Sequence, residues 1–319
     1  MCKNLMVVGV KADKQEELHS FMVAMAPILT MRDDDGFGYA VITEAGIGGE
    51  RWLHTKDAFN FRSVWTKREN ELKEKFQGAL EGDPTFNIFN PQAFESPILS
   101  LIMHARMATC EVSLKNTHPF VRDGIALIHN GVISNSKELK QATSTCDSEC
   151  ILNSYADNKV NLNPDKITEV GNVLRGSYTC GVLSKDAEGK PIVDIFRSSP
   201  MLYATYIQEL AALVFCTDDD MIKTACKELG WKCGPFLKLK DDVMVRLDAT
   251  TGEFISKHSF KSNVYSGSGG YGGYGGGGRN YQNNDHYYGV SQKKTQHPHR
   301  MHLTKHGTTK NSSIDGITS

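Results

Sequence analysis

The sequence has no apolar run long enough to cross a membrane, and it carries almost no net charge. No stretch approaches the roughly 20 apolar residues of a membrane-spanning helix. The first apolar run, Leu5–Val10, is short and is followed directly by charged residues, unlike a secretory signal peptide. The net charge is −1 over 319 residues, so no general excess of positive charge favours nucleic-acid binding. These absences predict a cytoplasmic protein.

The cysteines lack the spacing of a disulfide framework or of a metal site. Eight cysteines are scattered along the chain, which at this length indicates reduced thiols. Cys146 and Cys150 are close in sequence, but no second pair follows at zinc-finger spacing. We therefore expect no metal centre and no cofactor.

The composition changes abruptly after Lys261. Nine glycines lie between Gly267 and Gly278, and six of the eleven tyrosines lie between Tyr265 and Tyr288. From residue 262 onward, six Lys and Arg stand against two Asp and Glu, which leaves −5 on residues 1–261. The tail has too little apolar surface to offset its ordering entropy. We predict a folded domain over 2–261 and a disordered tail over 262–319, which is a flexible tether or a weak single-strand nucleic-acid contact.

Hydrophobic patterns within residues 5–261 predict many strands with helices grouped between them. Strands are expected at 5–10, 98–102, 125–128, 178–183, 192–196, 201–206, 213–216, 236–239, 243–247 and 253–259, and a charged turn within 32–42 is expected to run into a further strand. Helices are expected at 16–30, 58–78, 136–142, 148–158, 165–174 and from a Thr217-Asp218 cap to 229, and Gly46–Gly49 is expected to form a hairpin turn. This order is not a strict strand–helix alternation and predicts an α+β layered domain.

Cys2 directly follows the initiator methionine. When Met1 is removed, a thiol and a free α-amine stand on the same residue. Because an α-amine titrates at about 7.7–8.0 in peptides, it can accept a proton from the thiol or from an attacking water without a histidine. A second-position cysteine can equally be an ordinary residue, so its interpretation depends on the residues downstream.

Polar motifs downstream of Cys2 follow one another in a definite order. With the cysteine, the set is Cys2, Arg32-x-x-Asp35-x-x-Gly38, His104-x-Arg106-x-Ala108-Thr109, Asn116-Thr117-His118-Pro119-Phe120, His129-Asn130-Gly131 and Asp147-Ser148-Glu149. Together they resemble the class II glutamine amidotransferase domain of the N-terminal nucleophile hydrolases, in its stand-alone type, over Cys2 to about Asp218. The resemblance implies a four-layer αββα sandwich of two stacked, mainly antiparallel sheets.

The resemblance also implies catalytic and substrate-binding roles. Cys2 would be the nucleophile, with the Asn130 side chain and the Gly131 N–H as the oxyanion hole. Arg106 would bind the α-carboxylate of glutamine and Asp147 its α-ammonium.

Two further residues belong to the implied substrate-binding set, Arg32 near the nucleophile and Thr109 in a supporting position. The residues themselves leave simpler interpretations open: a surface arginine at 106, a helix cap at Asp147 and a hairpin turn at Asn130-Gly131. His104 and His129 are expected to be buried and hydrogen-bonded.

The implied reaction releases ammonia and glutamate from glutamine through a γ-glutamyl thioester, and a separate synthetase subunit would receive the ammonia. Two alternatives remain: hydrolysis of a larger γ-glutamyl amide, and a catalytically silent scaffold with an interacting tail. The chain departs from the family pattern at Lys3-Asn4, where Gly-Ile is usual, and at Met107 and Cys110, where tryptophan and histidine are common in larger members.

Overall fold

The computed structural model describes residues 2–30, 35–43, 46–52, 96–139 and 144–263. The predicted helix at 58–78, Arg32 and the tail from residue 264 onward lie outside these ranges. Among the described residues, no helix is long and apolar enough to cross a membrane.

The strands and helices of these ranges are numbered in chain order. The strands are β1 (Lys3–Val8), β2 (Gly36–Thr43), β3 (Gly46–Trp52), β4 (Ser100–Arg106), β5 (Phe120–Arg122), β6 (Ile125–Ile133), β7 (Gly176–Lys185), β8 (Pro191–Arg197), β9 (Tyr203–Ile207), β10 (Ala212–Cys216), β11 (Leu237–Lys238), β12 (Val243–Asp248) and β13 (Phe254–Ser259). The helices are α1 (Gln15–Thr30), α2 (Ser148–Asp157), α3 (Ile167–Val173) and α4 (Asp219–Leu229).

The described strands form two sheets. The first has the order β11-β9-β10-β1-β4-β2-β3, so the N-terminal strand lies in its interior, and the second has the order β13-β12-β8-β7-β6-β5. Every pair between neighbouring strands is antiparallel. The α+β architecture of antiparallel sheets expected from the sequence is confirmed.

Alternation along β1 determines which layers meet. Leu5 and Val7 pack in an apolar cluster with residues of α1 and α4. Met6 and Val8 belong to a different cluster, shared with the strands of the second sheet. Because successive side chains of a strand point to opposite faces, one face of the first sheet contacts helices and the other faces the second sheet.

The second sheet has the same arrangement on its far side. Residues of α2 and α3 pack with the outer face of β6 and β7 in a third apolar cluster. The layer order is therefore helix, sheet, sheet, helix, as a four-layer αββα sandwich requires.

Two local predictions are wrong. Gly46–Gly49 is not a turn: it begins β3, which pairs with β2 from Gly46 opposite Thr43 onward, and this backbone pairing overrides the turn tendency of glycine. Of the predicted helix at 136–142, residues 136–139 are described, and they form a single 3₁₀ turn over Ser136–Glu138 followed by extended backbone at Leu139. Asn135 holds this segment through hydrogen bonds to the chain at the end of α3.

Candidate active site around the N-terminal cysteine

Cys2 lies directly before β1 and contacts the end of β4. Its thiol donates to the carbonyl oxygen of Met107 over 3.4 Å, and the N–H of Met107 donates to the sulfur over 3.3 Å. Met107 immediately follows β4, the neighbour of β1 in the first sheet. The cysteine is half-buried, so main-chain contacts fix its sulfur without enclosing it in the core.

The pleat of β1 indicates which side of the sheet Cys2 faces. Asn4 is buried and points to the second sheet, where its Nδ2 donates to the carbonyl oxygen of Thr179 over 2.9 Å. Residues two apart on a strand share a face, which makes this the expected side for Cys2. Thr179 lies opposite Asn130 in the β6–β7 pair. The strand that follows Cys2 is therefore tied to the segment that carries Asn130.

Arg106 is the last residue of β4 and is only 2% exposed. Its Nη2 donates to the carbonyl oxygens of Cys110 and Glu111 over 3.2 and 3.0 Å and lies 3.1 Å from the Cys110 sulfur. Its Nη1 is buried and has no hydrogen-bond partner among the described residues. The surface-arginine interpretation is wrong, because this guanidinium is enclosed and its buried Nη1 has no acceptor in the described part of the chain.

Asp147 immediately precedes α2, but its carboxylate does not cap that helix. Instead, Oδ2 accepts a hydrogen bond from the Ile133 N–H at the end of β6 over 2.7 Å. The thiol of Cys146 lies 3.7 Å from Oδ1. The helix-cap interpretation is wrong, since the carboxylate links the start of α2 to the end of β6.

Asn130 and Gly131 lie within β6, so the hairpin-turn interpretation is also wrong. They pair with Thr179 and Tyr178 of β7. Gly131 has a φ of +145°, and a Cβ at this position would lie 2.0 Å from the carbonyl oxygen of Ser177. Only glycine fits this backbone. Strand packing therefore requires glycine at 131. Asn130 is buried and follows Ala126 and Ile128 at alternate positions of β6, and these two residues pack between the two sheets.

Three histidines are buried beside these residues. The rings of His104 and His118 have centroids 3.9 Å apart, and those of His118 and His129 lie 6.4 Å apart. His129 Nδ1 contacts the Ser148 hydroxyl at 2.8 Å, as expected of a hydrogen-bonded histidine. His104 is fully buried, as expected, and a hydrogen bond with the backbone of His129 is among the influences on its ring.

Burial gives His104 an unusual titration. Desolvation, followed by the charges of His129 and Arg106, lowers the pKa of His104 to about 3. Burial also lowers the pKa of His129. With so low a pKa, the His104 ring is neutral at neutral pH.

Three further residues were singled out in the sequence motifs: Asp35, Thr109 and Arg32. Asp35, from the motif that contains Arg32, accepts a hydrogen bond from the Ala108 N–H over 2.8 Å and so fixes the loop after β4. Thr109 lies exposed on that loop. Arg32 lies outside the described residues. Within the same ranges, no group of three or more His, Cys, Asp or Glu residues could hold a metal ion.

Comparison with known proteins finds relatives whose names include glutamine as a substrate. Glutamine–fructose-6-phosphate aminotransferase (isomerizing) from Acinetobacter baylyi is 30% identical over 120 residues, covering 34% of this chain and 19% of the relative. The Staphylococcus aureus enzyme is 34% identical over 122 residues, with 34% and 20% covered. Relatives of this chain include glutamine amidotransferases.

A third relative and two solved structures extend the comparison. The 7-cyano-7-deazaguanine synthase of Sulfolobus acidocaldarius is 25% identical over 204 residues, 61% of this chain and 39% of the relative. The B. subtilis glutamine phosphoribosylpyrophosphate amidotransferase structure, with ADP and GMP, has a TM-score of 0.53 at 14% identity, covering 80% of this chain and 49% of that one.

A structure described as the allosteric regulatory enzyme of purine biosynthesis has a TM-score of 0.56 at 14% identity, with 82% and 50% covered. At these identities the solved structures establish the fold alone. No protein-family model matches the chain. The chain spans about a fifth of the aminotransferases and about two fifths of the synthase.

Sequence reasoning left the surroundings of Arg106 and Asp147 without assigned roles. Cys110 contacts the guanidinium of Arg106, and Asn116 bonds to the loops on both sides of the site. Asn116 belongs to a motif noted in the sequence, so the signal for it was present. Its partners could not be identified without the fold, because they lie on separate loops.

Proposed function

We propose that this chain hydrolyses the side-chain amide of glutamine with Cys2 as an N-terminal nucleophile, as a class II glutamine amidotransferase domain. Removal of Met1 frees the α-amine that serves as base. The glutamine amidotransferases among its relatives and the sandwich fold support glutamine as the substrate. The sequence resemblance supports the cysteine as the nucleophile.

The observation that carries this proposal is the buried, partly unpaired guanidinium of Arg106. A buried cation without its full set of acceptors is costly, and a carboxylate removes that cost. Nη2 is already bonded to two backbone carbonyls, so Nη1 is the atom that receives the α-carboxylate of glutamine. The Asp147 carboxylate then receives the α-ammonium.

The proposed reaction is a two-step acyl transfer. The Cys2 sulfur attacks the side-chain amide carbon, and the carbonyl oxygen becomes negative as the tetrahedral intermediate forms. The Asn130 side-chain amide and the Gly131 N–H stabilise that oxygen. The α-ammonium of Cys2, formed when the amine takes the thiol proton, then protonates the amide nitrogen of the intermediate. The C–N bond breaks, ammonia leaves, and water hydrolyses the γ-glutamyl thioester to glutamate.

The acceptor for ammonia is proposed to belong to another protein. The family resemblance seen in the sequence implies a separate synthetase subunit, and one relative of the chain is named as a synthase. We assign the glutaminase chemistry to residues 2–261 and an accessory role to the Gly- and Tyr-rich tail from 262 to 319.

A labelling experiment tests the nucleophile. A glutamine-analogue electrophile should modify Cys2 in the purified chain, and intact-mass analysis should find Met1 absent. Burial raises the pKa of Cys146 and of Cys150 to about 12, so these thiols stay protonated at neutral pH and react slowly. Labelling at either of them in place of Cys2 would contradict the proposal.

Activity measurements test the substrate. Cys2→Ala should abolish ammonia release from glutamine, whereas Cys233→Ala, at another half-buried thiol, should leave it unchanged. Faster release of amines from γ-glutamyl conjugates than of ammonia from glutamine would favour a larger γ-glutamyl amide. A Cys2→Ala variant that keeps the full biological effect would favour a scaffold.

A further inference from the structure

The side chain of Asn116 bridges two loops that are distant in sequence. Its Nδ2 donates to the carbonyl oxygen of Glu111 over 2.9 Å and to the Thr145 hydroxyl over 3.0 Å. Its Oδ1 accepts from the Thr145 N–H over 2.9 Å. Asn116 is fully buried, so water does not compete for these bonds.

The two bridged loops are connected to the two groups proposed to bind the ends of glutamine: one loop is hydrogen-bonded to Arg106, and the other leads to Asp147. The Glu111 carbonyl that Asn116 holds also accepts from Nη2 of Arg106 over 3.0 Å. Thr145 lies two residues before Asp147, whose carboxylate is fixed to the end of β6. The guanidinium of Arg106 is therefore connected to Asn116 through the Glu111 carbonyl, and Asn116 is connected to Asp147 through Thr145 and the backbone that joins them.

We infer that Asn116 is a positioning residue that sets the separation between Arg106 and Asp147, and with it the selectivity for ligands that carry both an α-carboxylate and an α-ammonium. These two groups sit on one carbon atom of the substrate, so their receptors must keep a fixed separation to bind both at once. The inference rests on the proposed function and adds a specificity residue to it.

The chemistry of the position suits asparagine alone. The bridge needs two N–H donors and one acceptor on a short side chain, which the asparagine amide provides. Aspartate would keep the acceptor for Thr145 but could not donate to Glu111. Alanine would remove all three bonds and leave the Glu111 carbonyl held by Arg106 only.

Calorimetric binding to the full-length Cys2→Ala chain tests the inference with three ligands. Glutamine carries both ends, glutaramate lacks the α-ammonium and γ-aminobutyramide lacks the α-carboxylate. We expect Asn116→Ala to weaken glutamine binding by about tenfold or more, because misplacing one of the two receptors weakens about one hydrogen bond between the protein and glutamine. The one-ended ligands should change by less than about threefold, since each uses a single receptor.

Two further variants separate positioning from folding. Thr145→Val removes only the hydroxyl acceptor and should give a smaller loss of the same kind. Asn135→Ala is the matched control, because Asn135 is a buried asparagine that also links two distant parts of the chain. Its Nδ2 donates to the Val173 carbonyl oxygen, and its Oδ1 accepts from the Arg175 N–H. This variant should lower thermal stability without changing the ratio of glutamine to one-ended affinity.

The outcomes are distinct. The inference is supported if Asn116→Ala and Thr145→Val weaken the binding of glutamine more than that of the one-ended ligands, while Asn135→Ala leaves the ratio of these affinities unchanged. The inference is overturned if Asn116→Ala weakens the binding of all three ligands equally, or changes the affinity ratio no more than the Asn135 control does. In that case, glutamine binding by the Cys2→Ala chain still upholds the proposed function. A Cys2→Ala chain that does not bind glutamine overturns both.

Discussion

Two buried arginines, Arg246 and Arg106, differ in how completely their nitrogens are paired. Arg246 donates from Nε and Nη2 to the two carboxylate oxygens of Asp194 over 2.8 and 2.7 Å. Its Nη1 and Nη2 also donate to the carbonyl oxygens of Asn161 and Val160. Every nitrogen of this guanidinium is used inside the protein.

Arg106 is equally buried but has only backbone acceptors and a nearby thiol. Its partners in the described part of the chain are all on Nη2, and Nη1 has none there. The closed, fully paired network around Arg246 fixes the packing of the core. An open guanidinium, one that is buried and lacks acceptors, is instead stabilised when an anion binds to it. The comparison separates an arginine that stabilises the fold from one that is available to a ligand.

The largest effect is expected from breaking the closed network. Asp194→Ala leaves the buried Arg246 charge unpaired and removes the acceptor of the Tyr155 hydroxyl. We expect a loss of about 3–5 kcal/mol in the free energy of unfolding, measured by urea denaturation. Asp219→Ala, which breaks an exposed helical pair with Lys223, is the control and should cost less than about 1 kcal/mol. Similar losses in both variants would remove the distinction drawn for Arg246.

Asn130→Ala should give the next largest effect, and on catalysis instead of stability. Loss of one oxyanion donor costs about 10²–10³ in kcat, or roughly 2.7–4 kcal/mol. The KM for glutamine should change little, because the donor acts mainly in the transition state. Steady-state ammonia release measures both constants. A KM rise with unchanged kcat would assign Asn130 to substrate binding.

Arg106→Met tests the open guanidinium directly. The variant keeps an apolar stem of similar length and loses the charge-assisted bond to the α-carboxylate, worth about 1.5–3 kcal/mol. We expect the KM for glutamine to rise by about 10- to 150-fold, while the free energy of unfolding falls far less than in Asp194→Ala. A destabilisation matching that of Asp194→Ala would mean that Arg106 is a structural arginine too.

Local sequence predicted the layers well because they depend on alternation. The apolar residues of β1 identify a strand buried on both faces, helical spacing identifies α1, and the Thr217-Asp218 cap identifies α4. Turn chemistry was less reliable. Asn130-Gly131 has the composition of a hairpin turn, yet antiparallel pairing with β7 keeps it in a strand, since long-range pairing outweighs local preference.

The networks that distinguish the two arginines could not be predicted from sequence. Arg246 and Asp194 are 52 positions apart, and Asn116 and Thr145 are 29 apart. No local pattern marks such partners, because they meet only after the sheets and loops have assembled. The motif residues could be named in advance, but whether Arg106 is open or closed required its surroundings.

The smallest effect is expected at Lys3, where this chain departs from the glycine usual in the family it resembles. Its ammonium pairs with Asp218 Oδ2 over 3.2 Å, with side chains 22% and 39% exposed. The same carboxylate caps α4 by accepting from the Asp220 N–H through Oδ1 over 3.2 Å. Lys3→Ala therefore removes one partly exposed ion pair next to Cys2 and leaves the cap in place.

Lys3→Ala should cost at most about 1 kcal/mol in the free energy of unfolding, and added salt should shrink the difference from the parent chain. Asp218→Ala should cost more, because it also removes a helix cap worth about 0.5–2 kcal/mol. Urea denaturation at low and high salt measures both. A greater loss in Lys3→Ala than in Asp218→Ala would mean that the lysine stabilises the chain through contacts other than this carboxylate. The residues around Cys2 would then be more fully paired with one another than the partly unpaired guanidinium of Arg106 indicates.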